Sequence, residues 1–278
     1  MIDAVRTVVF VHGVQWERNI MLQGYSDPLC RRIQAQASST RFRFKEVLWS
    51  DVVEPREQAL IAGGTLGEIA MGIPLQEIAW LILKQIFGRM NLPVNEALRS
   101  TVFTKKIPDQ ISSGGSLMGK AMSAILDILL YESGMFKEAI QNKVLEALDF
   151  CAGEPPPVLF GHSLGSVISL DAIKSRCVGA QPPVYGFVTA GPALGILKRT
   201  PIRPKTFATL LKRIEWVNFY DADDFLAFWN PLRKFGYDGY VQDRNINPSE
   251  IVFYSHIKYW DNSAIARELA DMATTAED

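Results

Sequence analysis

The stretch Pro157-Val158-Leu159-Phe160-Gly161-His162-Ser163-Leu164-Gly165-Ser166-Val167-Ile168 decides the fold. Its first half is a short apolar run of the kind that forms a buried strand, and residues 165–173 carry a helical pattern. The Gly-x-Ser-x-Gly set from Gly161 to Gly165 therefore falls at a strand-to-helix turn, the context of a nucleophile elbow. A serine on so tight a turn takes a strained backbone conformation, and side chains two residues to either side would collide with the neighbouring strand and helix. Gly161 and Gly165 remove that bulk.

Around this centre the chain alternates between two periods. Residues 7–11 form a β-branched run that stops at His12-Gly13-Val14, which predicts a buried parallel strand. After a polar, Gly-containing loop, Asp27-Pro28 opens a helix through Gln36, and residues 43–49 alternate as a second strand. This is a βαβ opening. Residues 136–151 set Phe136, Ile140, Val144, Leu145 and Leu148 on one helical stripe, which ends at Gly153 and Pro155-Pro156-Pro157 and delivers the chain to the elbow strand. Downstream, residues 184–190 read as a strand closed by Gly191-Pro192. Residues 214–220 read as another, ending in Asp221-Ala222-Asp223-Asp224, and residues 240–246 as the last. Residues 263–272 form an amphipathic terminal helix followed by a polar tail. Alternating strands and helices predict the α/β class: a mostly parallel central sheet with helices on both faces, in one domain over residues 1–278.

Between residues 55 and 134 the alternation breaks into a long helix-rich insertion ahead of the elbow, with no convincing strand. Its apolar centres, 69–90 and 117–131, are interrupted by Glu77, Lys84 and Arg89 and by Lys120 and Asp127. Both fall short of the roughly 18 uninterrupted apolar residues of a membrane span. Ile78-Ala79-Trp80-Leu81-Ile82-Leu83 is apolar on every helical face, so it is either buried on several sides or turned towards something greasy. Two readings follow: an additional helical layer, or a cap or lid whose apolar underside walls a pocket.

A net charge of −1, from 29 basic and 30 acidic residues, gives no global field for nucleic acid or an anionic membrane, leaving a small molecule as the expected partner. Cys30, Cys151 and Cys177 have neither CxxC nor finger spacing, which predicts no disulfide framework, no zinc site and a reducing compartment. Met1-Ile2-Asp3-Ala4-Val5-Arg6 leads straight into the first strand, without the pattern of a cleavable signal. Together these features predict a cytoplasmic protein.

A serine hydroxyl is a poor nucleophile until an imidazole takes its proton, so a working elbow needs a histidine and an acid to orient it. The chain has 3 histidines. His162 lies inside the elbow, where the turn holds it away from Ser163, and His12 precedes Gly13 at a strand end, where backbone geometry matters more than imidazole chemistry. His256 remains as the base, between the last strand and the terminal helix. The order Ser, Asp, His places the acid after residues 214–220. Asp224 is the first choice because it opens the loop leading away from the sheet, Asp223 is the alternate, and Asp221 reads as a cap on the strand end; adjacency does not separate them. The oxyanion of a tetrahedral intermediate needs two backbone N–H donors, expected from Leu164 after the nucleophile and Val14 after the first strand.

Phe10-Val11-His12-Gly13-Val14, Gly161-His162-Ser163-Leu164-Gly165-Ser166, the aspartates after Phe219-Tyr220, and Ser255-His256 with Tyr259-Trp260 together resemble the α/β-hydrolase superfamily, its serine esterases and lipases in particular. The resemblance spans nearly the whole chain, and the elbow is its specific part. It implies a hydrolase with a Ser163-His256-Asp224 triad, no cofactor, and ester, thioester or amide bonds as the substrate class. An ester with an apolar, lipid-like acyl or alcohol part is the expected substrate, met at an interface if the insertion is a lid. The long insertion departs from the simplest members, and His12-Gly13-Val14 lacks the extra glycines of the HGGG subgroup.

Other readings are weaker. Gly114-Gly115-Ser116-Leu117-Met118-Gly119-Lys120 fits GxxxxGK, but Ala121 stands where a phosphate loop needs Ser or Thr and no strand precedes it. A binding scaffold with an idle triad is compatible with the same residues. No HExxH or clustered histidines suggest a metal. Lys198, Arg199, Arg203, Lys205, Lys212 and Arg213 read as a solvated face. Phe225, Phe228, Trp229, Tyr259 and Trp260 read as core, with one or two at a pocket mouth.

Overall fold

The structure, a computed structural model, describes residues 5–13, 24–53, 127–128, 130–132, 134, 136–151, 155–176, 183–194, 205–222, 224, 231–246, 256 and 258–275. Its strands are β1 (Arg6–Val11), β2 (Phe42–Val47), β3 (Val158–His162), β4 (Gly186–Ala190), β5 (Glu215–Tyr220) and β6 (Gln242–Asn245). Its helices are α1 (Asp27–Gln36), α2 (Lys137–Asp149), α3 (Leu164–Ser175), α4 (Lys205–Leu211) and α5 (Ser263–Thr275). The chain divides into two compact units, one of residues 1–13, 22–48 and 141–278 and the other of residues 14–21 and 49–140. The expected insertion, 55–134, falls in the second unit and, apart from a few residues near its end, lies outside the described residues, as does the GxxxxGK stretch.

Among the described residues, 6 strands form one sheet in the order β2-β1-β3-β4-β5-β6, with every pairing parallel. Every residue of β1, β3 and β4 is buried, which is why these strands read as continuous apolar runs. The edge strands β2 and β6 are far more open and their sequences correspondingly polar. Both are shorter than their sequence pattern predicts: β2 ends at Val47 rather than residue 49, and β6 covers 242–245 rather than 240–246.

Side chains alternate across the sheet. Val8, Phe10, Val158, Phe160, Val188, Ala190, Val217 and Phe219 share one face, where Leu29 and Ile33 of α1 and Ile265, Leu269 and Met272 of α5 close over them. Full burial of each large apolar side chain stabilises by about 1.5–3 kcal/mol. The ion pair between Arg32 of α1 and Asp261 is solvent-exposed and adds little beside that. Asn262 caps α5, its Oδ1 accepting from the N–H groups of Ala264 at 2.9 Å and Ile265 at 3.2 Å. Gly161 lies on the opposite face, and a Cβ there would stand 2.8 Å from Ser166 Cα of α3. Helices therefore cover both faces, as the alternating pattern predicts.

On that second face a buried polar chain ties the last strands together. Trp216 Nε1 donates to Thr189 Oγ1 at 3.1 Å, Thr189 donates to Asn218 Oδ1 at 2.9 Å, and Asn218 Nδ2 donates to Asp243 at 2.7 Å. Asp243 also accepts from the N–H groups of Leu232 and Arg233, capping the 3-10 turn Leu232–Phe235. This chain explains why the polar strand β6 stays in register at the sheet edge.

The chain runs from β1 outward to β2 and then crosses to β3 on the other side of β1, so the strand order reverses between β1 and β3. In open parallel sheets, the crevice beyond the carboxyl ends of the strands at such a reversal is where ligands bind.

Candidate active site

Ser163 sits at that reversal, one residue past β3, and α3 begins at the next residue. Its backbone has φ 54° and ψ −123°, and it is the one non-glycine residue with positive φ among the described residues. Such a conformation costs about 1–3 kcal/mol and persists only where its surroundings hold it. Here Ser163 N–H donates to Ala190 O at 3.0 Å, while its own carbonyl accepts from Ser166 at 3.1 Å and Ala193 at 3.2 Å. Ser166 Oγ donates back to Gly161 O at 3.0 Å.

The glycines do what the elbow requires. A Cβ on Gly165 would lie 2.5 Å from His12 O, so α3 meets the end of β1 backbone to backbone. One on Gly13 would lie 2.5 Å from Ser163 Cβ and 3.1 Å from its Oγ, which brings the main chain after β1 directly against the serine. Leu164, as the first residue of α3, has an N–H with no acceptor inside the helix. Val14, the second expected donor, lies outside the described residues, as do Asp223, Phe225, Phe228 and Trp229.

His256 and Asp224 meet. Nδ1 of His256 is 2.8 Å from Oδ2 of Asp224, and the two residues are 5 % and 0 % exposed. A carboxylate only accepts, so Nδ1 carries the proton and leaves a lone pair on Nε2. Nε2 is buried with no hydrogen-bond partner among the described residues. An imidazole held this way can take a proton at Nε2 from a hydroxyl presented to it, although the structure shows no hydrogen bond between Ser163 and His256.

Two neighbours fix the pair. His162, adjacent to Ser163, donates from Nε2 to the main-chain carbonyl of His256 at 2.8 Å, and the two rings lie 4.6 Å apart. Burial, followed by the proximity of His256, holds His162 well below the ordinary histidine value, although its bond to the His256 carbonyl opposes the shift. Tyr259, in the 3-10 turn Tyr259–Asp261, donates from its hydroxyl to Asp224 Oδ2 at 3.0 Å and accepts from Asp221 N–H at 2.9 Å. Behind both, Trp260 packs on His162, Phe160, Phe10 and Tyr25 with ring centroids 4.9–6.1 Å apart.

No family model, curated protein or solved structure matches the chain.

Of the expected site residues, the structure gathers Gly13, Gly161, Ser163, Leu164 and Gly165 at the elbow and joins Asp224 to His256. His12 turns its Nδ1 to Gly13 O at 2.7 Å, consistent with a part in backbone geometry. Asp221, the residue after β5, accepts from Asp224 N–H at 3.1 Å through its carbonyl. Among the described residues, no group of histidine, cysteine and carboxylate side chains is arranged to hold a metal ion, and no helix is long and apolar enough to cross a membrane.

Sequence alone does not reveal what His162 and Tyr259 do. The turn that points His162 away from Ser163 carries it to the His256 backbone. Tyr259 follows His256 by three residues, a spacing that puts both on one side of a helical turn and is the one signal in the sequence that singles it out.

Proposed function

We propose that the chain is a serine hydrolase of the α/β-hydrolase type, cleaving carboxylic esters with an apolar acyl or alcohol part. The observation that carries this reading is the buried His256–Asp224 pair, whose base has an Nε2 with no partner among the described residues and whose backbone is held by the neighbour of a strained serine. In the proposed reaction, Ser163 Oγ attacks the acyl carbon as His256 Nε2 takes its proton. Asp224 holds the imidazole in the required tautomer and stabilises the imidazolium. Leu164 N–H and the main chain after Gly13, at Val14, receive the oxyanion. The intermediate collapses as His256 returns the proton to the departing alcohol, leaving an acyl-serine. Water, deprotonated by His256, then releases the carboxylic acid and restores Ser163.

In this reading, residues 55–134 are either an additional helical layer or a cap or lid, and the protein acts in the cytoplasm on a small, lipid-like ester. A fluorophosphonate probe tests the reaction class, because its phosphorus bonds only to an activated hydroxyl. Peptide mass mapping should find the adduct on Ser163, and an intact, unlabelled protein would point to a scaffold that binds without turnover. A panel of aryl esters of increasing acyl length tests the substrate: a long-chain preference that rises at lipid interfaces favours the lid, and a short-chain optimum favours a plain helical layer.

A further inference from the structure

We propose that Tyr259 is a positioning residue that fixes the orientation and charge of the Asp224 carboxylate towards His256, an inference that rests on the serine hydrolase reading above.

A phenol hydroxyl has one proton, and its neighbours dictate where that proton goes. Asp221 N–H can only donate, so at 2.9 Å it occupies a lone pair of the Tyr259 oxygen. The hydroxyl proton is then directed to Asp224 Oδ2, 3.0 Å away. The same Oδ2 receives His256 Nδ1–H at 2.8 Å, so tyrosine and histidine compete for one oxygen. Burial, and next the Asp224 charge, push Tyr259 well above the ordinary tyrosine value, which keeps the donor proton in place at any working pH.

The geometry also makes Tyr259 a clamp. Asp224 N–H donates to Asp221 O, and the Tyr259 hydroxyl fastens Asp221 by its backbone and Asp224 by its side chain. The ring stands edge-on to His256 with centroids 6.1 Å apart and lies 5.7 Å from His162. Gly191, at φ +51°, lets the end of β4 pass close by: a Cβ there would lie 2.7 Å from the Tyr259 ring and 2.9 Å from Asp224 Oδ2. A donor placed on the oxygen that faces the base sets how strongly the carboxylate pulls on the imidazole proton, besides aiming it.

The test compares Tyr259→Phe with protein carrying 3-fluorotyrosine at position 259, a more acidic and therefore stronger donor of nearly the same shape. Two readouts are taken: the proton resonance of His256 Nδ1–H in protein labelled with 15N-histidine, assigned by its loss in His256→Ala, and kcat and KM on an aryl ester. Removing the hydroxyl should strengthen the His256–Asp224 hydrogen bond and move the resonance downfield; the fluorinated donor should move it upfield. In Tyr259→Phe, kcat should fall roughly 10- to 100-fold, by analogy with the loss when the outer hydrogen-bond partner of a metal-ligating side chain is removed, with KM unchanged. A resonance that stays put in both proteins overturns the proposal, even if kcat falls, because Tyr259 would then act by packing alone. If Tyr259→Phe does not fold, the fluorotyrosine protein decides. A Ser163→Ala control separates the two claims: retained turnover there defeats the hydrolase reading, while the resonance still decides whether Tyr259 acts on Asp224.

Discussion

His162 donates from Nε2 to the main-chain carbonyl of His256 across 2.8 Å, so the residue before the strained serine holds the backbone of the histidine proposed to serve it. Strand β3 thereby positions both partners: Ser163 by its end, and His256 through the last side chain before that end. The bond also fixes the His162 tautomer, because a carbonyl only accepts. Removing the donor in His162→Phe, which puts an apolar ring in its place, should leave a buried carbonyl unpaired at a cost of about 1–3 kcal/mol. Urea denaturation would register that loss as a lower midpoint, and turnover should fall as the base loosens. An unchanged midpoint and kcat would show that the bond does not matter.

The same histidine should make stability depend on pH. Burial, and next the nearby His256, hold His162 well below the ordinary value in the folded chain, whereas the unfolded chain binds that proton near pH ~6.5. Unfolding therefore takes up a proton below that pH. The stability from a neutral His162 is fully present above pH ~6.5 and declines as pH falls towards the folded value, by up to about 1.4 kcal/mol per pH unit. Urea midpoints between about pH 7.5 and 5 should drop more steeply in the wild type than in His162→Phe; parallel slopes would refute the assignment.

Gly165→Ala tests the backbone contact beneath the serine. Its Cβ would fall 2.5 Å from His12 O, against main chain at the end of β1 that has no flexible end to give way. Overpacking usually costs about 1–3 kcal/mol, and this rigid contact should reach the upper part of that range. Thermal unfolding should show the loss clearly, together with a fall in activity as the elbow shifts. A variant as stable and active as the wild type would mean that α3 and β1 are not in backbone contact.

The aspartates after β5 are separable by substitution. Asp224→Asn replaces the acceptor for His256 Nδ1–H with an amide that favours the wrong tautomer, and kcat should fall by about 10⁴-fold. Asp221→Asn keeps the N–H that reaches Tyr259, and its kcat should stay far closer to wild type. Equal losses in the two variants would remove Asp224 from its special place.

How much of this is legible in the sequence depends on whether burial or contact carries the information. Strands β1, β3, β4 and β5 announce themselves because burial on both faces turns them into apolar runs, whereas the polar β6 sequence Gln242-Asp243-Arg244-Asn245 is held by contacts with its neighbours. The elbow is legible because its glycines answer a local steric demand. His256 follows from having only 3 histidines to choose from. Asp224 follows from chain order, but adjacency leaves Asp221 and Asp223 open, and the bond to His256 distinguishes Asp224 from Asp221. The parts of His162 and Tyr259 are not legible, since each depends on partners brought near only by the sheet: His256, 94 residues from His162, and Asp224, 35 residues from Tyr259.

The central claim is that Ser163 is the nucleophile, and Ser163→Ala measured on an aryl ester tests it most directly. The substitution removes one oxygen from a buried position, and circular dichroism should show the fold intact. The account predicts that turnover falls to the level of the uncatalysed reaction, apart from residual help by the oxyanion donors. Turnover retained near wild-type rates in a folded Ser163→Ala protein would contradict it.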